Sequence, residues 1–427
     1  MRRLGPALEV RDFRLWWLAF LGMWVSLQML EVAIGWEVYA QHRSTLDLGW
    51  IGLAEFLPMF VLALPAGHLA DRVPRRGVFS GALLIGAGVG AGLAVVSGSG
   101  DTSLAPYLAL AVAAGISMAL GTPAARSMPP TLVGPELLGS AMTLRAIASQ
   151  AAQVSGPALG GLLYGVSPSL VYGLSAGTCV AAAGCVLAMR PAAAADAAGA
   201  VSVPDDEDHP PADVHGVLEG LRFVRRTQIL FGAILLDLLA VLFGGAVALL
   251  PVFASSILHV GATGLGVLRA APAVGALAAA AVITRRPISG RAGRLLLIVV
   301  FLYGASIVVF GLSRSYLLSL AALAVSGFVD LYSMNIRSTT VALASPDRLR
   351  GRVNAVEMVF ISASNQLGYF ESGLAAYLVG TVPAVVGGGV MTMLIALSWR
   401  RFFPALADVD RLEQIKSPPT VPARAPA

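Results

Sequence analysis

The stretch Gly67-His-Leu-Ala-Asp-Arg-Val-Pro-Arg-Arg76 is a charged segment between two long apolar runs. Residues 48–70, which lead into it, contain a single charged side chain, Glu55, and residues 77–100 contain no Asp, Glu, Lys or Arg. A membrane-spanning helix needs about 20 predominantly apolar residues. The pattern therefore predicts two membrane-crossing helices joined by a charged loop.

The composition extends this prediction to the whole chain of 427 residues. It is 57% hydrophobic and 12% charged, whereas soluble domains carry about 25% charged residues. A soluble enzyme, a nucleic-acid binder and a disordered chain are excluded, because too few charges remain to coat a soluble surface. The long continuous apolar runs also exclude a transmembrane barrel, whose strands alternate apolar and polar residues. We expect an all-α membrane protein without a cofactor, a metal site or nucleic-acid binding.

The same pattern repeats along the chain and gives twelve spans. If the N-terminus is cytoplasmic, inside segments hold 25 of the 29 basic residues, and the outside segments hold two, Arg43 and Arg314. Positive charges accumulate in cytoplasmic loops. The split therefore predicts twelve transmembrane helices with both termini in the cytoplasm.

A polar segment divides the chain into two parts. We expect an N-terminal six-helix bundle (1–190), a cytoplasmic linker with an amphipathic helix (191–227), a C-terminal six-helix bundle (228–403) and a disordered cytoplasmic tail (404–427). Two patterns recur at nearly constant offset: Gly52-x5-Pro58 as Gly266-x5-Pro272, and Arg126-Ser-x7-Pro as Arg337-Ser-x7-Pro. The repeat indicates two pseudo-symmetric bundles, an organisation typical of secondary transporters with a site near the midplane.

The charged loop resembles the signature G-x-x-x-D-R-x-G-R-R of the major facilitator superfamily, although Pro74 replaces its second glycine. The resemblance implies alternating access and a latch that holds the outward-open state. Positive-inside charge alone would explain the arginines but not the aspartate. The residues of this gating loop are Gly67, Asp71, Arg72, Arg75 and Arg76.

A second motif lies in span 5, where Gly156, Pro157, Gly160 and Gly161 resemble the GPxxGG core of the antiporter signature. The resemblance implies export in exchange for protons; the alternative is ordinary small-residue packing between helices. The match is partial, because Ala152 replaces an upstream glycine. Across nearly all spans the chain is similar to a bacterial exporter branch that includes enterobactin exporters and macrolide efflux proteins. The stretches that carry this similarity include 35–39, 141–145, 237–245, 249–253, 261–272 and 365–373.

Charged residues inside spans are costly, about 2.5–3.5 kcal/mol each at the centre of a helix, so we expect function or pairing for each. Asp237 is the first candidate for the proton carrier, and a salt bridge to Arg145 or Arg269 is the alternative. Asp330 and Arg337 share a helix face and could stabilise the inner gate. The acids Glu31, Glu55 and Glu371 line the cavity or pair with Arg269. Glu37 is expected at the membrane interface.

These features predict a secondary active transporter: a monomeric, proton-coupled exporter in the bacterial inner membrane, driven by the proton gradient. The expected substrate is an amphipathic small molecule such as a drug, a siderophore or a secondary metabolite. Two alternatives stay open at this point. One is an importer of a nutrient or organic acid, and the other is a membrane receptor or scaffold that transports nothing.

Overall fold

The computed structural model describes residues 5–72, 74–100, 102–190, 214–286, 288 and 290–409. The side chains of 63–72, 214–218, 347, 348, 355, 362 and 363 lie outside that description. Within the described part the chain is almost entirely helical. The long helices are α1 (Arg11–His42), α2 (Thr45–Arg72), α3 (Arg75–Ser99), α4 (Leu104–Ser127), α5 (Pro135–Val166), α6 (Pro168–Leu187), α7 (Val214–Arg226), α8 (Gln228–Phe243), α9 (Gly261–Arg285), α10 (Ala292–Leu312), α11 (Tyr316–Ala344), α12 (Asp347–Val379) and α13 (Thr381–Phe402).

Shorter helical turns complete the chain. They are Pro6–Glu9, Pro129–Leu132, Ala246–Leu249, Leu250–Val252, Phe253–Ile257 and Pro404–Ala407. Three of them extend the path of α8 as far as Ile257. The break in that path falls at Gly244 and Gly245, just before Pro251. Glycine favours irregular backbone and proline removes a helical hydrogen bond, so this segment cannot continue as a regular helix.

Ten helices in the described part of the chain are long and apolar enough to cross a membrane. Two other long helices, α5 and α12, lie among them and have 32 and 33 residues. Their sequences are less apolar, and both lie against helices on more than one side: α5 against α1 and α9, and α12 against α2 and α8. A helix that is covered by protein has less need of a lipid-compatible surface.

The helices pack as two sets. In the N-terminal set (α1–α6), α1 contacts α5 and α6, α2 contacts α4, and α3 contacts α4 and α6. In the C-terminal set (α8–α13), α10 contacts α11 and α13, α9 contacts α11, and α12 contacts α8 and α13. The main contacts between the sets are α5 with α9 and α2 with α12.

Glycines allow both of these crossings. A Cβ added to Gly161 of α5 would lie 2.4 Å from the carbonyl oxygen of Ala262 and 2.8 Å from the Cα of Gly266. A Cβ on Gly373 of α12 would lie 3.0 Å from the Cα of Gly49 in α2. Small residues permit such close backbone approach. We call the end of the bundle where α1 begins the proximal end, and the end where α1 terminates the distal end. Both crossings lie toward the distal end.

The position of Arg337 corrects one expectation from the sequence. The count of 25 basic residues in inside segments includes Arg337, but α11 continues to Ala344 and encloses this residue, which is 6% exposed. The helix continues because no glycine or proline interrupts the sequence until Pro346. Its repeat counterpart Arg126 lies near the end of α4 and is exposed.

The amphipathic segment 214–226 is helical and packs on α12. Arg352 of α12 forms an ion pair with Glu219, and a Cβ on Gly220 would lie 2.8 Å from the carbonyl oxygen of Arg352. The expected linker residues 191–213 and tail residues 410–427 lie outside the described part of the chain. The helix α7 is therefore attached to the C-terminal set.

Candidate functional site

A charged cluster joins the two sets near the middle of the bundle. Arg269 of α9 donates a hydrogen bond to the carboxylate of Glu31 in α1 and forms an ion pair with it. The same guanidinium group lies 3.5 Å from the hydroxyl oxygen of Tyr369 in α12. Glu55 of α2 interacts electrostatically with both Glu31 and Arg269. Four helices, two from each set, thus contribute to a single cluster, which we name the inter-set cluster.

The local packing explains why Glu31 and Arg269 meet. A Cβ on Gly160 would lie 2.8 Å from the carbonyl oxygen of Met29, and one on Gly266 would lie 2.4 Å from that of Pro157. The face of α5 that carries the small-residue motif therefore sits between α1 and α9. The contacts at Met29 and Gly266 lie within one helical turn of the two charged residues, so they bring the side chains together.

The inter-set cluster lies deep in the bundle. At 1.5 Å per residue, Glu31, Glu55, Arg269 and Tyr369 are each roughly 12–17 Å from the distal end of their helices. Half of a typical hydrocarbon core is about 15 Å. At this depth little water is present to solvate a charge that loses its partner. Breaking the ion pair therefore requires another charge to take the partner's place, or a proton to neutralise the carboxylate.

A second charged cluster belongs to the C-terminal set alone. Arg337 of α11 forms an ion pair with Asp237 of α8, and the two residues are 6% and 7% exposed. Glu357 of α12 interacts electrostatically with both. Asp330, whose side chain is not covered by other residues of the chain, interacts with both as well. We name these residues the C-terminal cluster.

The C-terminal cluster corrects the partner expected for Asp237. The sequence suggested Arg145 or Arg269, but the Asp237 carboxylate accepts a hydrogen bond from Arg337. Arg145 lies on α5 in the N-terminal set, and Arg269 forms its ion pair with Glu31. Glu371 does not pair with Arg269 either, and its carboxylate lies 3.5 Å from the hydroxyl of Ser372.

Glu37, expected at the membrane interface, lies five residues before the end of α1 and is covered by protein. It is 3% exposed and buried within the N-terminal set. Tyr107 donates a 2.8 Å hydrogen bond to one carboxylate oxygen, Tyr172 donates to the other, and Gln41 donates at 3.3 Å. Of these donors, only Gln41 was detectable from the sequence, because it lies one helical turn from Glu37. The two tyrosines come from α4 and α6.

The gating-loop residues divide into two groups. Gly67, Asp71 and Arg72 lie in the last turns of α2, and their side chains are outside the description. Arg75 donates a 3.2 Å hydrogen bond to the carbonyl oxygen of Ser127, and Arg76 donates to that of Leu187. These arginines therefore bind the C-terminal ends of α4 and α6. Cations are favourable there because unpaired carbonyl groups make a helix C-terminus negative.

The antiporter-motif residues are all buried at helix contacts. A Cβ on Gly156 would lie 2.5 Å from the Cβ of Gln28, and Gly161 faces Gly266 as described above. The motif therefore occupies the contact between α5 and its two neighbours α1 and α9. Small residues are needed at such a contact for packing alone, which is the alternative explanation of the motif. The contact also adjoins the inter-set cluster.

Comparison with known proteins agrees with this architecture. Over 412 residues the chain is 28% identical to the enterobactin exporter EntS of Citrobacter koseri, covering 94% of this chain and 92% of the relative. Its fold is similar to that of the nucleoside transporter NupG, with a TM-score of 0.67 at 13% identity, covering 93% of this chain and 99% of the other. It is equally similar to a bacterial homologue of the lysosomal transporter Spinster, with a TM-score of 0.67 at 15% identity, covering 93% and 97%.

Together, the apolar helices, the two packed sets and these similarities define a membrane transporter of the major facilitator type. Residues 4–423 match the family described as transmembrane secretion effector, and the chain belongs to that family. It is therefore a transporter and not an enzyme. It is a multi-pass protein of the bacterial inner membrane that acts on a small-molecule substrate.

Proposed function

We propose that the protein is a proton-coupled exporter that works by alternating access and moves an amphipathic small molecule out of the cytoplasm. The observation that carries this proposal is the ion pair between Glu31 and Arg269, which links the two helix sets. Alternating access in this fold requires one set to rock against the other around a central site. An ion pair between the sets at that depth must be remade or replaced in each cycle, so it couples charge to conformation.

Hydrogen bonds at the distal end support assigning the structure to one state of the transport cycle. Tyr39 and Ser256 share a 3.0 Å hydrogen bond, and Arg43 donates a 3.0 Å hydrogen bond to Ser255. Both contacts join the two sets at the distal end, next to the glycine crossings. With the distal end facing outward, this arrangement is closed to the outside and corresponds to the cytoplasm-facing step of the cycle.

The proposed topology has twelve spans, with α5 and α12 as the two that are less apolar and with both termini in the cytoplasm. Helices of 32 and 33 residues extend about 48 and 50 Å at 1.5 Å per residue, more than a hydrocarbon core of about 30 Å requires. The two helix sets are the N- and C-terminal bundles, 1–190 and 228–403, joined by the segment 191–227. The protein acts as a monomer without a cofactor or a nucleic-acid partner.

Within the proposal, Asp237 carries the proton. A proton on its carboxylate would break the pair with Arg337 and release a guanidinium group next to Asp330. The inter-set cluster then responds to the change in charge. The proton gradient supplies the energy for this sequence of steps.

The substrate class follows from the relatives. The similarity to enterobactin exporters makes a catecholate siderophore the first candidate, and drugs and other secondary metabolites are the next. A partly anionic aromatic ligand suits a central site that presents Arg269 and Tyr369. Arginine stacks on aromatic rings and pairs with anionic oxygens, so one residue can recognise both parts of such a ligand.

The test is an efflux assay in a bacterial host that lacks its own pumps. Cells carry wild type, Asp237→Asn or the matched control Asp47→Asn, which changes a carboxylate at the start of α2 away from both clusters. They are loaded with a catecholate siderophore, a macrolide or a fluorescent cation, with and without a protonophore. We expect wild type and the control to lower retention of one compound, and both Asp237→Asn and the protonophore to abolish the effect.

Each of the other results identifies the part of the proposal that is wrong. Export that survives Asp237→Asn but not the protonophore rejects Asp237 as the carrier and leaves Glu31 and Asp330 to test. Export that survives the protonophore rejects proton coupling. Accumulation of a compound in cells that express the protein supports import instead. If protein present in the membrane transports none of the three compounds, the substrate is narrower or the direction is inward, and an uptake assay follows.

A further inference from the structure

A cavity of about 720 Å³ lies at the proximal end of the C-terminal set. It is formed by the start of α10, the end of α13 and the residues around the short turn Pro404–Ala407. Both of these helices pack within the C-terminal set, and neither contributes a residue to the inter-set cluster. The cavity is therefore separate from the central site described above.

The polar part of the lining is basic. Among the described lining residues, Arg291, Arg294 and Arg400 contribute guanidinium groups and Asp408 contributes a carboxylate. Arg400 lies 3.7 Å from Asp408, but both side chains are largely exposed, at 77% and 65%. An exposed ion pair of this kind is weak. Arg400 can therefore exchange this weak pair for a stronger anionic ligand, and Arg294 on α10 offers a second guanidinium group.

The wall of the cavity is fixed by backbone contacts. The amide of Gly293 donates a 3.0 Å hydrogen bond to the carbonyl oxygen of Val409. A Cβ on Gly293 would lie 1.9 Å from the carbonyl oxygen of Leu406, so only glycine permits this approach. The turn after α13 is therefore attached to the start of α10, and the arginines of the two helices line the same cavity.

The other described lining residues are apolar, and some of them are exposed. It includes Ile298 and Leu397, whose exposed fractions are 45% and 67%. These two side chains lie about one helical turn from Arg294 and Arg400 along α10 and α13, farther from the proximal end. The cavity thus has a basic part at the membrane surface and an apolar part at the depth of acyl chains.

We propose that this cavity binds an anionic phospholipid of the cytoplasmic leaflet, with the headgroup phosphate on Arg294 and Arg400 and an acyl chain against Ile298 and Leu397. Basic pockets between transmembrane helices on the cytoplasmic side suit anionic headgroups, because the leaflet itself supplies the ligand at high local concentration. Arginine also matches phosphate geometry through two parallel hydrogen bonds. The inference rests on the proposed orientation, in which the proximal end is cytoplasmic, but not on transport.

The test uses the purified full-length protein in detergent, titrated with phosphatidylglycerol, with phosphatidylcholine of the same chain length, or with inorganic phosphate. Lipid retention is measured by native mass spectrometry and stabilisation by the melting temperature. We expect phosphatidylglycerol to bind more tightly than phosphatidylcholine and to raise the melting temperature. The double variant Arg294→Gln with Arg400→Gln is expected to lose affinity for phosphatidylglycerol on the order of 10-fold.

Two further variants keep the result interpretable. Arg285→Gln with Arg286→Gln removes the same charge at the proximal end of α9, outside the cavity, and is expected to retain wild-type binding. Arg294→Lys with Arg400→Lys keeps the charge and is expected to bind within a few-fold of wild type, which separates charge loss from misfolding.

Equal binding of the two lipids, or an equal loss in the α9 variant, would overturn the proposal. Inorganic phosphate that stabilises the protein as much as phosphatidylglycerol would also overturn it, because the ligand would then be a free anion. Because no step requires export, lipid binding by a protein that exports nothing would reject the proposed function and leave this inference intact.

Discussion

The inter-set cluster and the C-terminal cluster contain the same chemistry, a carboxylate paired with an arginine inside the membrane. Glu31 and Arg269 belong to different helix sets, whereas Asp237 and Arg337 belong to the same set. The Asp237–Arg337 pair is also the more buried of the two, with side chains 9% and 7% exposed against 24% and 12% for Glu31 and Arg269. A pair within one set need not break when the sets move, so we expect it to contribute mainly to folding until Asp237 is protonated. A pair between sets contributes to the balance between conformations.

The largest effect is expected from removing one partner of the more buried pair. Arg337→Gln leaves the carboxylate of Asp237 without its cation, and breaking a buried pair in this way costs about 3–5 kcal/mol. We expect a strong fall in the melting temperature of the purified protein. The double variant with Asp237→Asn should recover much of the loss, because no uncompensated charge is left. A double variant as unstable as Arg337→Gln alone would show that the two residues are not energetically paired.

Glycine substitution at the crossing of the sets comes next. Gly161→Val places a branched side chain where even a Cβ would lie 2.4 Å from a carbonyl oxygen of α9. Overpacking a close contact costs about 1–3 kcal/mol, and here the cost falls on the closed distal end, so we expect export to fall at least tenfold. The control is Gly173→Val on α6, where nothing lies within 4 Å of an added Cβ. Export rates at equal amounts of membrane protein measure the difference, and equal loss in the two variants would contradict the crossing as the cause.

The inter-set pair should respond through conformation more than through stability. In Arg269→Gln we expect the distal end to open, with the balance between states shifted by about 1–3 kcal/mol, a usual range for coupling energies. Cross-linking between cysteines placed at Tyr39 and Ser256, which share a hydrogen bond across the sets, reports the closed state. Cross-linking should fall in Arg269→Gln and stay at the wild-type level in Arg285→Gln, at the exposed end of the same helix. An unchanged yield in Arg269→Gln would place the coupling elsewhere.

The smallest expected effect on transport concerns Glu37, which has tyrosine donors and no described ion pair. Tyr172→Phe removes one hydrogen bond to the buried carboxylate and should cost about 1.5–3 kcal/mol at most, the range for bonds to charged groups. We expect a modest fall in melting temperature with export retained, because the cluster lies within one set. Tyr377→Phe, which removes the same hydroxyl group from an exposed side chain of α12, is the control. Loss of export with normal stability would instead assign Glu37 to the transport cycle.

Much of the fold could be predicted from the sequence, because the bilayer allows few solutions. Backbone groups in lipid must be satisfied within a helix or a closed barrel, so apolar length alone locates helices such as α3 and α10. The repeat at Gly52 and Gly266 predicted two pseudo-symmetric halves, but it did not indicate which helices of the two halves would meet. The ends of helices were less predictable: Arg337 looks like a loop arginine in the sequence and lies inside α11.

The charged residues show where prediction from the sequence stops. The cost of a charge in lipid depends on the residue itself, so Glu31, Asp237 and Arg269 are identifiable as special from their positions in apolar runs. The identity of each partner depends on which helix faces which, and the paired residues are 238 positions apart in one case and 100 in the other. The sequence by itself determined that this chain is a helical membrane protein with costly buried charges. Only the tertiary structure decided which pair links the two sets and which stays within one, because helix packing, unlike hydropathy, is a property of the whole chain.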